Sequence, residues 1–193
     1  VTLRGVNWPA LLGGSVIGAG ILAVCVAYAA DGPPLLYVRL ALVALAAAAA
    51  FVLDEPSAAA VDAVPVTRRG RTAIRVTAVA FPFAIWTAAV LALERRNDAT
   101  AVGALLVEGA GMLAVAVAVS AALRLAGRAE PGEMVASFVG ASMLGALIFN
   151  PAPGSVPIFP VRDGWAASTA LWGSFAVAGV MLVVAASRDP YRR

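Results

Sequence analysis

Long apolar runs, each closed by a short cluster of charges, prolines or glycines, recur along the chain, and six of them approach or exceed the roughly 20 residues that cross a bilayer. They lie at about Trp8–Ala30, Pro34–Leu53, Thr72–Leu93, Thr100–Leu125, Gly132–Phe149 and Trp165–Ala186. Little chain remains between them. The pattern therefore predicts one all-α polytopic membrane bundle over residues 1–193, with no separate soluble domain. The first run is longer than the apolar core of a cleavable signal, and the glycines of "LLGGSVIGAG" suit a packed helix.

Two interruptions of the pattern carry more information than the runs. The stretch "LDEPSAAAVDAVPVTRRGRTAIR", residues 53–75, gathers Arg68, Arg69, Arg71 and Arg75 with Asp54, Glu55 and Asp62 between the second and third runs. Pro56 suits a first helical turn, Ser57–Val64 gives two turns, and Pro65 ends them, so a short interfacial helix is expected here. Asp54 and Glu55 stand before it, where negative charge is favoured. The segment reads either as a docking element for a cytosolic partner or as a solvated loop whose arginines set topology. The second interruption follows the fifth run. From Met134 to Val161 the chain holds no charge for 28 residues, and "NPAPGSVPIFP" brings four prolines that cannot continue a helix. Ile158 and Phe159 are too apolar for a plain loop. A re-entrant or surface-lying hairpin including Asn150, Ile158 and Phe159 is expected, because irregular backbone at this depth must pack on protein or face water. The connection "RLAGRAEPGE" is shorter; Gly127 ends the fourth helix and Pro131 precedes the fifth.

Composition agrees: 62% of the 193 residues are hydrophobic and 13% charged, against about a quarter charged in soluble domains. The basic residues are all arginine, 14 in number, which with the abundance of Ala, Val and Gly suggests high-GC bacterial coding. A cytoplasmic N-terminus puts ten arginines inside (4, 68, 69, 71, 75, 124, 128, 188, 192, 193) and three outside (95, 96, 162), with Arg39 inside a span. That asymmetry predicts both termini in the cytoplasm of a multi-pass bacterial cell-membrane protein. The net charge of +3 is explained by topology and implies no nucleic-acid partner.

Two ionisable residues fall within runs. Arg39 lies about one turn into the second and Glu108 about two turns into the fourth, at similar depth in the outer half. A charge near mid-membrane costs about 2.5–3.5 kcal/mol on insertion scales, so such groups usually face a partner or a wet path. Arg39 can pair with Glu108, or snorkel to the outer headgroups; Glu108, shorter and deeper, is expected to face the bundle interior. Small residues recur every four positions at Gly14 and Gly18; at Ser137, Ala141 and Gly145; and at Ala166, Ala170, Ser174 and Ala178, a spacing that allows close helix approach. Pro82 is expected to kink the third span.

Much chemistry is excluded. With no histidine and one cysteine, Cys25, there is no histidine-based triad, no disulfide and no metal-ligand cluster. No "GxxxxGK[ST]" occurs and no lysine at all, so the chain carries no ATPase motif and no cofactor or metal of its own.

Six spans, cytoplasmic ends, a short helix between spans two and three and an apolar outer hairpin between spans five and six resemble the permease subunits of bacterial type-II ABC exporters. "LDEPSAAAVDAVPVTRRGRTAIR" is similar to the "D-P…A…P-T…R-R…R" loop of small actinobacterial permease-like subunits of that family. The resemblance implies that Pro56–Arg71 couples to a separate cytosolic ATPase, with Pro56, Val61, Asp62, Val64, Arg68, Arg69 and Arg71 in contact. It implies ATP and Mg on that partner, and a second permease subunit, identical or related. At 193 residues the chain is shorter than common permeases of the family, which also leaves an accessory half-permease or structural subunit open. The chief alternative is the substrate-binding membrane component of an energy-coupling-factor vitamin importer, which needs a polar pocket reached from outside.

Overall fold

The computed structural model describes residues 6–29, 35–54, 68–97, 101–148, 158–160 and 163–188. Among them every regular element is helical. Helix α1 is Trp8–Ala27, α2 Leu35–Ala50, α3 Arg68–Val76, α4 Ala80–Glu94, α5 Val102–Leu125, α6 Gly132–Ile148 and α7 Trp165–Ala186. Five helical stretches are long and apolar enough to span a bilayer: Trp8–Ala27, Leu35–Leu53, Arg69–Glu94, Val102–Leu125 and Trp165–Ala186. Helix α6, at 17 residues, sits at the short end of the range for a span. The bundle is of the multi-pass membrane kind.

Local chemistry explains the boundaries. The Asn7 side chain accepts from the Ala10 N–H at 3.4 Å and caps α1. Helix α5 stops at Gly127, whose φ of +87° is cheap only for glycine. The Gly127 N–H donates to the Arg124 carbonyl and the Arg128 N–H to the Leu123 carbonyl, the paired bonds of a Schellman ending. The "RLAGRAEPGE" connection is thus an ordinary helix-to-helix turn. The third span differs from its predicted start at Thr72: arginine favours helix, and the helix already runs from Arg68. It continues to Glu94 through one 3-10 turn at Thr77–Val79. Pro82 explains that turn. It has no N–H for the Ala78 carbonyl four residues back, and the backbone tightens there instead of breaking.

Helices α2 and α5 form the centre. Ala41, Ala46, Ala48, Ala49 and Ala50 of α2 are all buried, and their small size lets neighbours approach on several sides. Gly14 and Gly18 lie on the α1–α2 seam: an added Cβ would stand 2.8 Å from Ala48 Cβ or from the Leu45 side chain. The other two predicted stripes are not seams. Ser137 and Ala141 on α6, and Ala166, Ala170, Ser174 and Ala178 on α7, are exposed in this chain. The α5–α7 contact uses Gly111 and Gly179, where an added Cβ would meet the Trp172 carbonyl at 2.6 Å and the Ala114 carbonyl at 2.9 Å. In a bilayer, helices associate by this close packing and by hydrogen bonds, because lipid is as apolar as leucine.

Candidate functional site

Arg39 and Glu108 face each other across α2 and α5. The Arg39 Nε donates to Glu108 Oε1 at 3.0 Å and Nη2 to Oε2 at 3.3 Å, a two-pronged ion pair. The side chains are 2% and 1% exposed. Of the two arrangements open to Arg39, the structure therefore shows the pair and not snorkelling. Nη2 also donates to the Pro160 carbonyl at 2.7 Å. The guanidinium carbon lies 5.1 Å from the Phe159 ring centre and 5.6 Å from that of Trp165, within cation–π range. A buried charge survives only if paired and hydrogen-bonded, and this one is enclosed on each of those sides.

Residues 158–160 are anchored from α7 as well. The Ile158 carbonyl accepts from Trp172 Nε1 at 2.9 Å and Ser168 Oγ at 3.1 Å. The Phe159 ring packs on Trp172, centroids 5.7 Å apart, and is itself 2% exposed. Phe159 is thus held between α7 and the Arg39 guanidinium. Asn150 and the rest of the expected hairpin lie outside the described residues. On the other flank of α5, Trp86 donates to the Leu105 carbonyl at 2.9 Å. Its indole occupies the place a side chain at Gly109 would need. Two buried tryptophans thus pack on α5 near the glutamate, Trp86 at Gly109 and Trp172 at Gly111, neither of which the chain pattern singled out. A lone Trp after Pro82 and a Gly flanking a buried Glu were the available signals.

A second knot ties the opposite end of α2. The Gly132 N–H, one of the orphan donors at the start of α6, donates to Asp54 Oδ1 at 2.7 Å. Gly132 must be glycine for this: a Cβ would fall 2.5 Å from the Phe51 ring and 2.6 Å from Asp54 Oδ2. Sequence logic assigns Asp54 to the short helix that follows it; in the structure its carboxylate serves α6. Ser120 Oγ adds a bond to the Ala50 carbonyl at 2.9 Å, joining α5 to α2 at the same end.

Burial pushes the Asp54 carboxyl above its ordinary range. The Gly132 N–H pulls it back, the Glu130 charge raises it, and an Asn7 hydrogen bond and Arg124 lower it. A folded-state pKa raised above the unfolded value means the folded chain holds a proton the unfolded chain has released. That stabilisation is complete below the ordinary carboxylate value and is lost as pH rises through the raised one. Asp54→Asn keeps an acceptor for the Gly132 N–H without a charge. Its thermal midpoint in detergent should equal or exceed that of the parent at neutral pH and lose this pH dependence. Asp54→Ala, lacking the acceptor, should be weaker by about 1 kcal/mol. An unchanged pH dependence in Asp54→Asn would assign the titration to another group.

Of the residues expected to couple to a partner, Pro56, Val61, Asp62 and Val64 lie outside the described residues, as does the expected helix Ser57–Val64. Arg68 opens α3, Arg69 is exposed and Arg71 half-buried. Thr72, on the same α3 turn as these arginines, lies beside Leu53 and Arg124, at the opposite ends of the second span and α5 from Arg39 and Glu108. Among the described residues no three histidine, cysteine or acidic side chains converge as a metal site. The ion pair uses both carboxylate oxygens, so in this conformation it works as a lock between α2, α5 and residues 158–160. Comparison with protein-family models, with curated proteins and with solved structures returns no match for this chain.

Proposed function

We propose that this chain is the permease subunit of a type-II ABC exporter in a bacterial cell membrane, driven by a separate cytosolic ATPase that carries ATP and Mg. The observation that carries the reading is the unbroken helical rod from Arg68 to Glu94, joined only by the tightened turn at Thr77–Val79. A coupling element at Pro56–Arg71 feeds directly into that rod, and on its other side adjoins α2 at Asp54. A push on the element would move the second and third spans as levers. Arg69, exposed on the first turn of the rod, is free to address an acidic rim on the ATPase or lipid phosphates.

In this reading both termini are cytoplasmic, as the arginine asymmetry indicates. Residues 158–160 then lie at the outer face, and the Arg39–Glu108 lock closes the outer end of the bundle beneath them. Six spans are too few to enclose a path, so a second permease subunit, identical or related, completes it. The vitamin-importer alternative requires polar side chains facing an open outer pocket. Here Arg39 and Glu108 bond one another, Arg39 also bonds the Pro160 carbonyl, and Ser168 and Trp172 bond the Ile158 carbonyl.

Affinity purification of the chain from host membranes should recover an ABC-type ATPase, identified by mass spectrometry. Val61→Asp, or Arg68→Glu with Arg69→Glu, should lower that recovery about tenfold, the scale of a lost interface hot spot, with the yield of the chain itself unchanged. Recovery of no ATPase, or full recovery with both variants, would leave the loop as a topology signal only.

A further inference from the structure

A cavity of about 510 Å³ opens on the side of the bundle between α3, α4, α5 and α7. Its walls are apolar along most of its length, with Val76, Phe83, Leu113 and Val183 among them. At one end only, the lining turns polar, with Arg69, Thr72 and Ser187. The floor is backbone. Gly179 brings α7 so close to α5 that a Cβ there would stand 2.9 Å from the Ala114 carbonyl. Arg188, one residue beyond Ser187, is exposed at the same end.

We propose that this groove binds an anionic phospholipid, with an acyl chain along its apolar length and the phosphate at Arg69. The polarity gradient is that of a lipid standing in one leaflet. From Phe83 to Arg69 the helical rod rises about 21 Å at 1.5 Å per residue, close to half of the 40–45 Å thickness of a whole bilayer. The arginine therefore falls at headgroup level when the apolar part fills the leaflet. Basic pockets between spanning helices hold anionic headgroups by charge-assisted hydrogen bonds. A second copy fits less well: symmetric pairing through this groove would bring Arg69 and Arg188 toward their own copies, whereas a phosphate neutralises them. The site shares Arg69 with the proposed coupling element, but lipid retention by the purified chain is read without any ATPase.

Native mass spectrometry of the full chain in micelles tests it, with phosphatidylglycerol and phosphatidylcholine of identical acyl chains titrated separately. One phosphatidylglycerol should be retained per chain at lower concentration than phosphatidylcholine. Arg69→Ala should weaken phosphatidylglycerol about fivefold, the effect of one basic residue at a membrane surface, and phosphatidylcholine, whose choline offsets its phosphate, by less. Ala80→Phe, which fills the groove from an exposed rim position, should abolish retention of both lipids. Inorganic phosphate should displace neither. Equal affinity for the two lipids, an intact preference in Arg69→Ala, or lipid retained by Ala80→Phe would overturn the proposal. So would a lipid-resistant dimer that Ala80→Phe dissociates, since the groove would then belong to a second copy.

Discussion

Glu108→Ala is expected to destabilise the protein by about 3–5 kcal/mol, because it strands the Arg39 guanidinium in a buried site without its counter-charge. For a chain of this size that corresponds to roughly 10 °C or more in the thermal midpoint in detergent. The loss exceeds one hydrogen bond because Glu108 satisfies two guanidinium nitrogens at once. Arg39→Ala should be comparably harmful by a different route, since it also releases the Pro160 carbonyl and uncovers the faces of Phe159 and Trp165. The double variant decides whether the two act together. With both charges gone no lone ion remains buried, and the combined loss should fall short of the sum by more than about 1 kcal/mol. Strict additivity would mean that each side chain has its own, unrelated role.

Gly111→Val is the second large effect. A Cβ at this position meets a backbone atom, the Trp172 carbonyl at 2.6 Å, which no rotamer change can move away. Helix α7 must shift off α5, and with it go the Trp172 and Ser168 bonds to Ile158 that hold residues 158–160 over the ion pair. Overpacking of this kind costs about 3 kcal/mol. Gly140→Ala in α6 is the matching control. A Cβ there has nothing within 4 Å, and the gain in helix propensity should leave stability equal or up to about 1 kcal/mol higher. Equal midpoints for the two variants would show that α5 and α7 do not depend on this close approach.

The spans were legible because their signal is local: an apolar run of sufficient length, closed by Gly127 or Pro131, needs no knowledge of what it packs against. The depth of Arg39 and Glu108 along their runs was legible in the same way, and it put both at one level. Their pairing was not, because it depends on the rotation of α2 against α5, which neither helix encodes alone. Asp54 shows the same limit more sharply. Its nearest apparent use is the helix expected just after it, yet its carboxylate bonds an N–H 78 residues further on. Small-residue spacing was a poor guide for a related reason. In a chain with this much alanine and glycine the four-residue spacing recurs by chance, and only the glycines that meet a neighbouring backbone, such as Gly18 and Gly111, mark a seam.

The central claim is that an ATPase works through the loop between the second and third spans. Its most direct measurement is the ATP hydrolysis rate of the partner ATPase in proteoliposomes, with this chain, without it, and with the Arg68→Glu, Arg69→Glu variant. The account predicts a rate that changes when the chain is present and reverts to the ATPase-alone value with the variant, at equal protein incorporation. A rate indifferent to the chain, or full coupling in the variant, would contradict it.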